Sequence, residues 1–390
     1  MVKICVVTAT RAEFGLLKPM LEKLLKVPTF DVRIIATGMH LSPEFGLTYK
    51  EIEEAGMRID RKIEMQLSSD STVAMSKTMG LTMIGFADYF EEAKPNFVIL
   101  IADRYETLAV ASTAMCMQIP IIHLYGGETT EGAIDECIRH AISKMSYLHF
   151  ATTESYRKRI IQMGENPERV FNVGGLGVEN IKTCPLLSKS ELEESLEIRL
   201  DSPYAVVTFH PVTLEKNSAE GQAEELMKAC EAHPELKYIF TKANSDASGR
   251  IINDMLEQFT ARHDNMKIFD SLGLKRYLSA VKYAAFVLGN SSSGIMEVPS
   301  FGIPTVNIGD RQRGRMRAES IIDCDPYKED IVAAMDKALC QEFREFCHTC
   351  ENPYEGKDPS GDIVRTIQRF VEKGEVDLKK KFYNIDFQER

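Results

Sequence analysis

Short, almost purely apolar runs alternate along the chain with stretches in which apolar residues recur every three or four positions. "KICVVTA" (3–9), "DVRIIATG" (31–38), "NFVILIAD" (96–103), "IPIIHLYGG" (119–127), "LHFATT" (148–153) and "RVFNVGG" (169–175) read as buried strands. "LLKPMLEKLLKV" (16–27) and "ETLAVASTAMCMQ" (106–118) carry helical spacing, and a further helix ends near Lys94-Pro95. The series then restarts with "YAVVTFHP" (204–211), "KYIFTKAN" (237–244), "NMKIFDS" (265–271), "AAFVLGNSSS" (284–293) and "IPTVNIGD" (303–310), with helices such as "AEGQAEELMKACEAH" (219–233) between them. Near-continuous apolar strands separated by helices predict parallel sheets covered on both faces.

Two such series predict an α/β chain of two Rossmann-like, doubly wound domains. The first spans 1–178 and the second 179–360, the join falling where "TCPLLSKSELEESLEIRLDSP" loses strand character. A last helix, over about 361–390, is expected to pack back on the first domain. In such sheets ligands bind beyond the carboxyl ends of the strands. Arg11, Asp103, the Gly126-Gly127-Glu128 turn, His210 and Asn290 to Ser293 all fall there. In two facing domains those edges line a cleft.

A length of 390 residues fits two domains, and 44% hydrophobic with 27% charged residues is the composition of an ordinary globular protein. The net charge of -11 disfavours nucleic acid and anionic membrane as partners, while local arginines leave room for a small anion. The nine cysteines show no framework spacing. "CHTC" (347–350) lacks the second ligand pair of a zinc site, so no metal is expected. The N-terminus reads as a first strand, no apolar stretch would span a bilayer, and a cytoplasmic location follows as an expectation.

No Gly-x-Gly-x-x-Gly follows the first strand and no Walker loop occurs, which disfavours a dinucleotide or ATP-type phosphate loop and predicts no cofactor. Arg11 stands instead at the strand end, either clamping phosphate or pairing with Glu13. "NSSSGIMEV" (290–298) places Ser291, Ser292, Ser293 and Gly294 between a strand and a helix, as a phosphate cradle or a serine-rich cap. Glu297, one turn on, can accept ribose hydroxyls, and "DRQRGR" (310–315) offers Arg311 and Arg313. Asp103 either serves the site or caps a helix. In "HLYGGETTEGAIDECIRHAISK" (123–144), Asp135/Arg139 and Glu136/His140 have the spacing of helical ion pairs, and metal ligation is weak there.

Together these motifs resemble the hydrolysing UDP-N-acetylglucosamine 2-epimerase family of sialic-acid and legionaminic-acid biosynthesis. The resemblance rests on "TATRAEFGLLKPML", "ATGMHLSPEFG", "DRYETLAVA", "HLYGGETTEGAIDECIRHAISKMS", "TFHPVT" and "GNSSSGIMEVPSFGIPTVNIGDRQRGR", running from residue 8 to about 317 in family order. It implies the glycosyltransferase-B architecture. The implied reaction removes the C2 proton, expels UDP to leave a 2-acetamidoglucal, and adds water with inversion at C2, without NAD. It further implies diphosphate binding by Arg11, His210, Ser291 and Ser292, with Asn290, Ser293, Gly294, Arg311 and Arg313 beside them, and ribose binding by Glu297. Asp103 and Asp135 fall on acid/base positions, and Glu136 is a further candidate. Many relatives carry "HIEGG" where this chain has "HLYGG", so Tyr125 replaces a catalytic glutamate and Glu128 takes over the acid's role. The substrate is UDP-N-acetylglucosamine or its 2,4-diacetamido-2,4,6-trideoxy counterpart, and a homodimer or homotetramer is usual for the family. A non-hydrolysing epimerase, a glycosyltransferase of the same fold and a catalytically silent nucleotide-sugar sensor are the alternatives.

Overall fold

Thirteen strands form two separate all-parallel sheets among the described residues of a computed structural model, which describes 1–65, 67, 71–131, 133–212, 218–243, 249–374 and 376–386. Thr213 of "TFHPVT", Asn244 of "KYIFTKAN" and Gly132 of "HLYGGETTEGAIDECIRHAISK" lie outside those residues. The first sheet comprises β1 (Val2–Thr8), β2 (Phe30–Thr37), β3 (Ile59–Ile63), β4 (Phe97–Ile101), β5 (Ile121–Leu124), β6 (Leu148–Ala151) and β7 (Val170–Asn172), in the order β3-β2-β1-β4-β5-β6-β7. The second comprises β8 (Tyr204–Thr208), β9 (Lys237–Thr241), β10 (Met266–Phe269), β11 (Phe286–Gly289), β12 (Thr305–Ile308) and β13 (Ile321–Cys324), in the order β10-β9-β8-β11-β12-β13. Each order reverses once, between β1 and β4 and between β8 and β11. That is the doubly wound pattern, with its ligand crevice at the reversal.

The chain divides into two compact units. Residues 1–128, 135–179 and 356–390 form the first, 129–134 and 180–355 the second. The Gly126-Gly127-Glu128 turn therefore belongs to the first unit, while residues 129–134 that follow it group with the second.

Burial explains the apolar runs. In β8, Ala205 and Val207 enter a core with Phe240, Phe286 and Leu288, while Tyr204 and Val206 enter another with Leu192, Ile239 and Val281. Both faces are covered, so the run needs no polar alternation. In the first unit Cys5, Val7, Val98 and Leu100 pack under Phe86 and Phe90 of the helix Thr72–Ala93. Among the described residues no helix is long and apolar enough to cross a membrane.

Two strands escape the pattern, β3 and β13. Both are at sheet edges and partly exposed, and "IDRKI" and "IIDC" carry charges that break the apolar run. The last helix, Pro359–Glu372, also differs from its predicted extent. Gly374 takes a left-handed conformation (φ 78°) beyond its end, and residues 376–386 continue without helix. That helix packs on Arg11–Leu24, where Lys23 bridges Glu179 (3.0 Å) and Asp358 (2.6 Å).

Candidate functional site

At the carboxyl end of β4 the chain turns sharply. Ala102 adopts φ 62°, a left-handed conformation that side chains rarely take, and the next residue is Asp103. The turn is held from both sides. The Ala102 N–H donates to the Leu124 carbonyl at 3.0 Å, and its own carbonyl accepts from His123 Nε2 at 2.9 Å. That bond fixes the His123 tautomer, so Nδ1 is the acceptor for the Ser143 hydroxyl at 3.2 Å. Burial lowers His123 to about 4 and keeps the ring neutral.

At the end of β5, Tyr125 is likewise left-handed (φ 68°), and its hydroxyl accepts the Gly177 N–H at 3.3 Å. Gly127 then passes so close to the helix Glu154–Gln162 that a Cβ would lie 2.4 Å from the Tyr156 carbonyl oxygen. This close approach delivers Glu128, 2% exposed, to Thr152, whose hydroxyl donates to Oε1 at 2.9 Å.

Arg139 joins these pieces. It is fully buried on the helix Asp135–Met145. Its guanidinium donates to Asp103 through Nε (2.7 Å) and through Nη2, to Glu136 Oε2 (2.8 Å), and to the Glu128 carbonyl (2.9 Å). Glu136 also contacts His140 Nε2 at 3.1 Å. The helix thus realises the predicted Glu136/His140 pair. Arg139 reaches back 36 positions to Asp103, a partnership that helical spacing does not reveal. Asp135, half-buried, opens the helix. Arg11 opens the helix Arg11–Leu24 and lies 3.8 Å from Glu51; Glu13, its expected partner, is buried and faces the Ala9 amide.

In the second unit, β8 and β11 end side by side. Gly289 (φ 131°) comes so near β8 that a Cβ would overlap the Thr208 carbonyl at 2.0 Å. Asn290 then clamps His210 through its backbone, accepting its N–H at 2.7 Å and donating to its carbonyl at 2.8 Å. The Asn290 carbonyl receives Arg311 Nη1 (3.1 Å) and Gln312 Nε2 (2.9 Å). Ser291 caps the short helix Ser292–Met296 through the Ser293 amide. Tyr277 donates to the Ser293 hydroxyl at 2.8 Å. Gly294 packs against Thr305, so its small size serves helix–strand contact. Glu297 follows, half-buried. Arg313 stays largely exposed beside Asp310 (3.4 Å) and Glu131 (3.5 Å).

The structure therefore brings Asp103, Glu128 and Glu136 into one network, and His210, Asn290 and Arg311 into another. Gln312, set among arginines, and Thr152, in no motif, carry no signal in the sequence. Glu13 was missed except as a partner for Arg11, although Thr10-x-x-Glu13 has capping-box spacing. The cysteines of "CHTC" are free, Cys347 buried and Cys350 half-buried.

The model of the family described as UDP-N-acetylglucosamine 2-epimerase matches residues 22–368. A Campylobacter jejuni protein named GDP/UDP-N,N'-diacetylbacillosamine 2-epimerase (hydrolyzing) is 44% identical, over 98% of this chain and 99% of its own length. The polysialic acid biosynthesis protein P7 of Escherichia coli is 36% identical, over 99% of this chain and 98% of its own. Among solved structures, the S. aureus MnaA–UDP co-structure shares the fold with a TM-score of 0.80 at 18% identity, covering 99% of this chain and 100% of that one. The chain belongs to the UDP-N-acetylglucosamine 2-epimerase family.

Proposed function

We propose that this protein is a hydrolysing nucleotide-sugar 2-epimerase for nonulosonic acid biosynthesis. It converts a UDP-linked 2-acetamido gluco-sugar into the free manno-epimer and UDP. The observation that carries this reading is the buried Arg139 network, which holds Asp103, Glu136 and the Glu128 backbone together at the ends of β4 and β5. A weakly acidic C2 proton needs a positioned base and a stabilised leaving group. Asp103, Glu128 and Asp135 are assigned to the proton transfers, with Glu136 and Tyr125 beside them. Arg11, His210 and the Asn290–Ser293 turn are assigned to the diphosphate, with Arg311, and Glu297 to the ribose.

A carboxylate takes the C2 proton while the C1–O bond to the diphosphate breaks, its electron pair leaving with UDP. Water then adds to the resulting glucal, hydroxyl to C1 and proton to C2, inverting that centre. The balance is substrate plus water giving manno-sugar plus UDP. The name of the Campylobacter jejuni relative favours the 2,4-diacetamido-2,4,6-trideoxy substrate over UDP-N-acetylglucosamine, and makes GDP the second nucleotide to try. The enzyme is placed in the cytoplasm as a homodimer or homotetramer, which sedimentation would test.

Turnover in deuterated water separates the readings. Each UDP-sugar, and the GDP-linked form, is supplied in turn. Released nucleotide together with deuterium at C2 of a free manno-sugar is expected. Epimerised UDP-sugar would identify a non-hydrolysing enzyme. Nucleotide release without exchange at C2 would overturn the elimination step, and binding without turnover would indicate a sensor.

A further inference from the structure

The first helix opens Thr10-Arg11-Ala12-Glu13. Thr10 caps it by accepting the Glu13 amide at 3.2 Å. Glu13 reaches back past the cap, and its Oε2 takes the Ala9 N–H at 2.6 Å. The two bonds close a ring around Arg11, from the end of β1 to the first helical turn. Glu13 is 6% exposed, and its second carboxyl oxygen, Oε1, is buried without a hydrogen-bond partner among the described residues. An ionised carboxylate is poorly suited to that place, because a buried charged oxygen needs donors.

The charged groups acting on Glu13 come from the start of the helix Tyr105–Cys116. They are Arg104 and Glu106, which meet each other in a forked contact with both bonds at 3.2 Å. The arginine therefore already faces an anion. Burial, the largest influence, raises Glu13 to about 7 against the opposing pull of the Ala9 amide and Arg104. The reaction proposed above makes no use of this acid.

We propose that Glu13 works as an uncharged acid that positions Arg11, and that its ionisation loosens the arginine's hold on the substrate diphosphate. The proposal rests on the nucleotide-sugar reading for the identity of the anion. Once charged, the buried oxygen adds a negative charge to the turn whose backbone carries Arg11, one-third exposed and 3.8 Å from Glu51. That charge opposes a bound diphosphate and offsets part of the arginine's pull on it.

The test uses Glu13→Gln, which is uncharged and can still accept the Ala9 N–H. The probe is a UDP-linked acetamido sugar, whose diphosphate has no proton to lose near neutrality. The wild-type KM is expected to rise on the order of tenfold between about pH 6 and about pH 8.5, while that of Glu13→Gln changes by less than about twofold and kcat runs parallel in the two proteins. Every other ionisable group is common to both, so their ratio isolates Glu13. Superimposable KM profiles would overturn the proposal. So would a folded Glu13→Gln that binds poorly at about pH 6 while Glu13→Asp binds well, since a charge would then be required. Carbon NMR of carboxyl-labelled glutamate is the second reading. A resonance titrating near neutrality, absent from Glu13→Gln, is expected even if the protein turns over no sugar, and its absence from the wild type would refute the uncharged state. Loss of the catalytic reading therefore shows as missing turnover, and loss of this one as a missing titration.

Discussion

The crevice between β1 and β4 and the crevice between β8 and β11 occupy the same place in two sheets of matching strand order, yet they are furnished differently. The first is charged. Glu13, Asp103, Arg104 and Glu106 crowd its rim, and one of its acids ties down the backbone where a doubly wound fold often seats a phosphate. The second is built mostly from neutral groups, with Arg311 behind the turn. Asn290 clamps His210, and the serine hydroxyls follow at once. The backbone solutions differ in the same sense. Ala102 and Tyr125 hold left-handed conformations under side-chain and sheet restraint, whereas the second unit uses Gly289. Strain held by a network suits groups that must keep one orientation for proton transfer. An uncharged turn lined by serine hydroxyls at a helix start suits an anion. One topology thus supports two chemistries, and the proposed division of labour follows from which side chains close each crevice.

The largest way to break this contrast is to remove its hub. Arg139→Met leaves Asp103 and Glu136 facing a buried apolar side chain, and stripping one partner from a buried ion pair costs about 3–5 kcal/mol. Urea unfolding should show that loss, and turnover should vanish in the protein that remains folded. UDP affinity in the same sample should change by less than about twofold, because the groups proposed for the diphosphate lie mostly in the other network. An equal loss of UDP affinity would mean that the two networks are not separable.

Acid should act through the first unit next. Burial lowers His40 and His123 from 6.5 to about 4, so both are neutral when folded and take up a proton on unfolding. The unfolded chain binds more protons between those values, so stability falls as pH drops from about 6.5 towards about 4, by about 2 kcal/mol for each histidine. Glu13 acts in the opposite sense. Its folded value is raised to about 7, so its contribution is present below its ordinary 4.5 and is lost as pH rises through about 7. Urea midpoints across that range should follow the histidines, and His123→Gln should flatten the slope. An unaltered slope would show that His123 is not the group that takes up the proton.

Asn290→Ala is the matching cut in the second unit. It removes both bonds to the His210 backbone, leaving a buried N–H and carbonyl unpaired at a cost of about 2 kcal/mol. UDP affinity should fall on the order of tenfold, and calorimetric titration would read it. Full UDP affinity in a folded variant would remove the Asn290–Ser293 turn from the nucleotide site.

How much of this could be read beforehand follows the same physical divide. Strands buried on both faces announce themselves as apolar runs. β3 and β13, half-exposed at the edges, do not. The candidate acids were visible as strand-end residues, since position along the chain fixes where a strand ends. Their partners were not. Asp103 and Arg139 lie 36 residues apart, and Asn290 and His210 lie 80 apart, separations that only the sheet order closes. Local spacing suggests Asp135 for Arg139 and Glu13 for Arg11, and says nothing of Asp103 or of the Ala9 amide that Glu13 takes.

The smallest effect belongs to the far end of the helix Asp135–Met145. The second unit pins its Asn290 turn with Arg311 and Gln312, only 21 and 22 residues away. The first pins the helix Asp135–Met145 with the tail. Lys380 donates to the carbonyls of Lys144 (2.8 Å) and Ser146 (2.7 Å), more than 230 residues earlier, and pairs with Glu165 at 2.7 Å. Phe382 lies over Gly164, where a Cβ would meet its ring at 2.3 Å. Burial would raise Glu165, but hydrogen bonds from His149, Lys144 and Lys380 outweigh it and hold the carboxyl down at about 2. Lys380→Met deletes one of those three donors while the other two remain, so the loss should be about 1 kcal/mol. Because helix cations act on the terminal carbonyls, the loosening should begin at the last turn. Amide exchange should therefore quicken around residues 142–146 before it does at Arg139. Uniform quickening along the whole helix would mean that the tail stabilises the unit globally and does not pin this end.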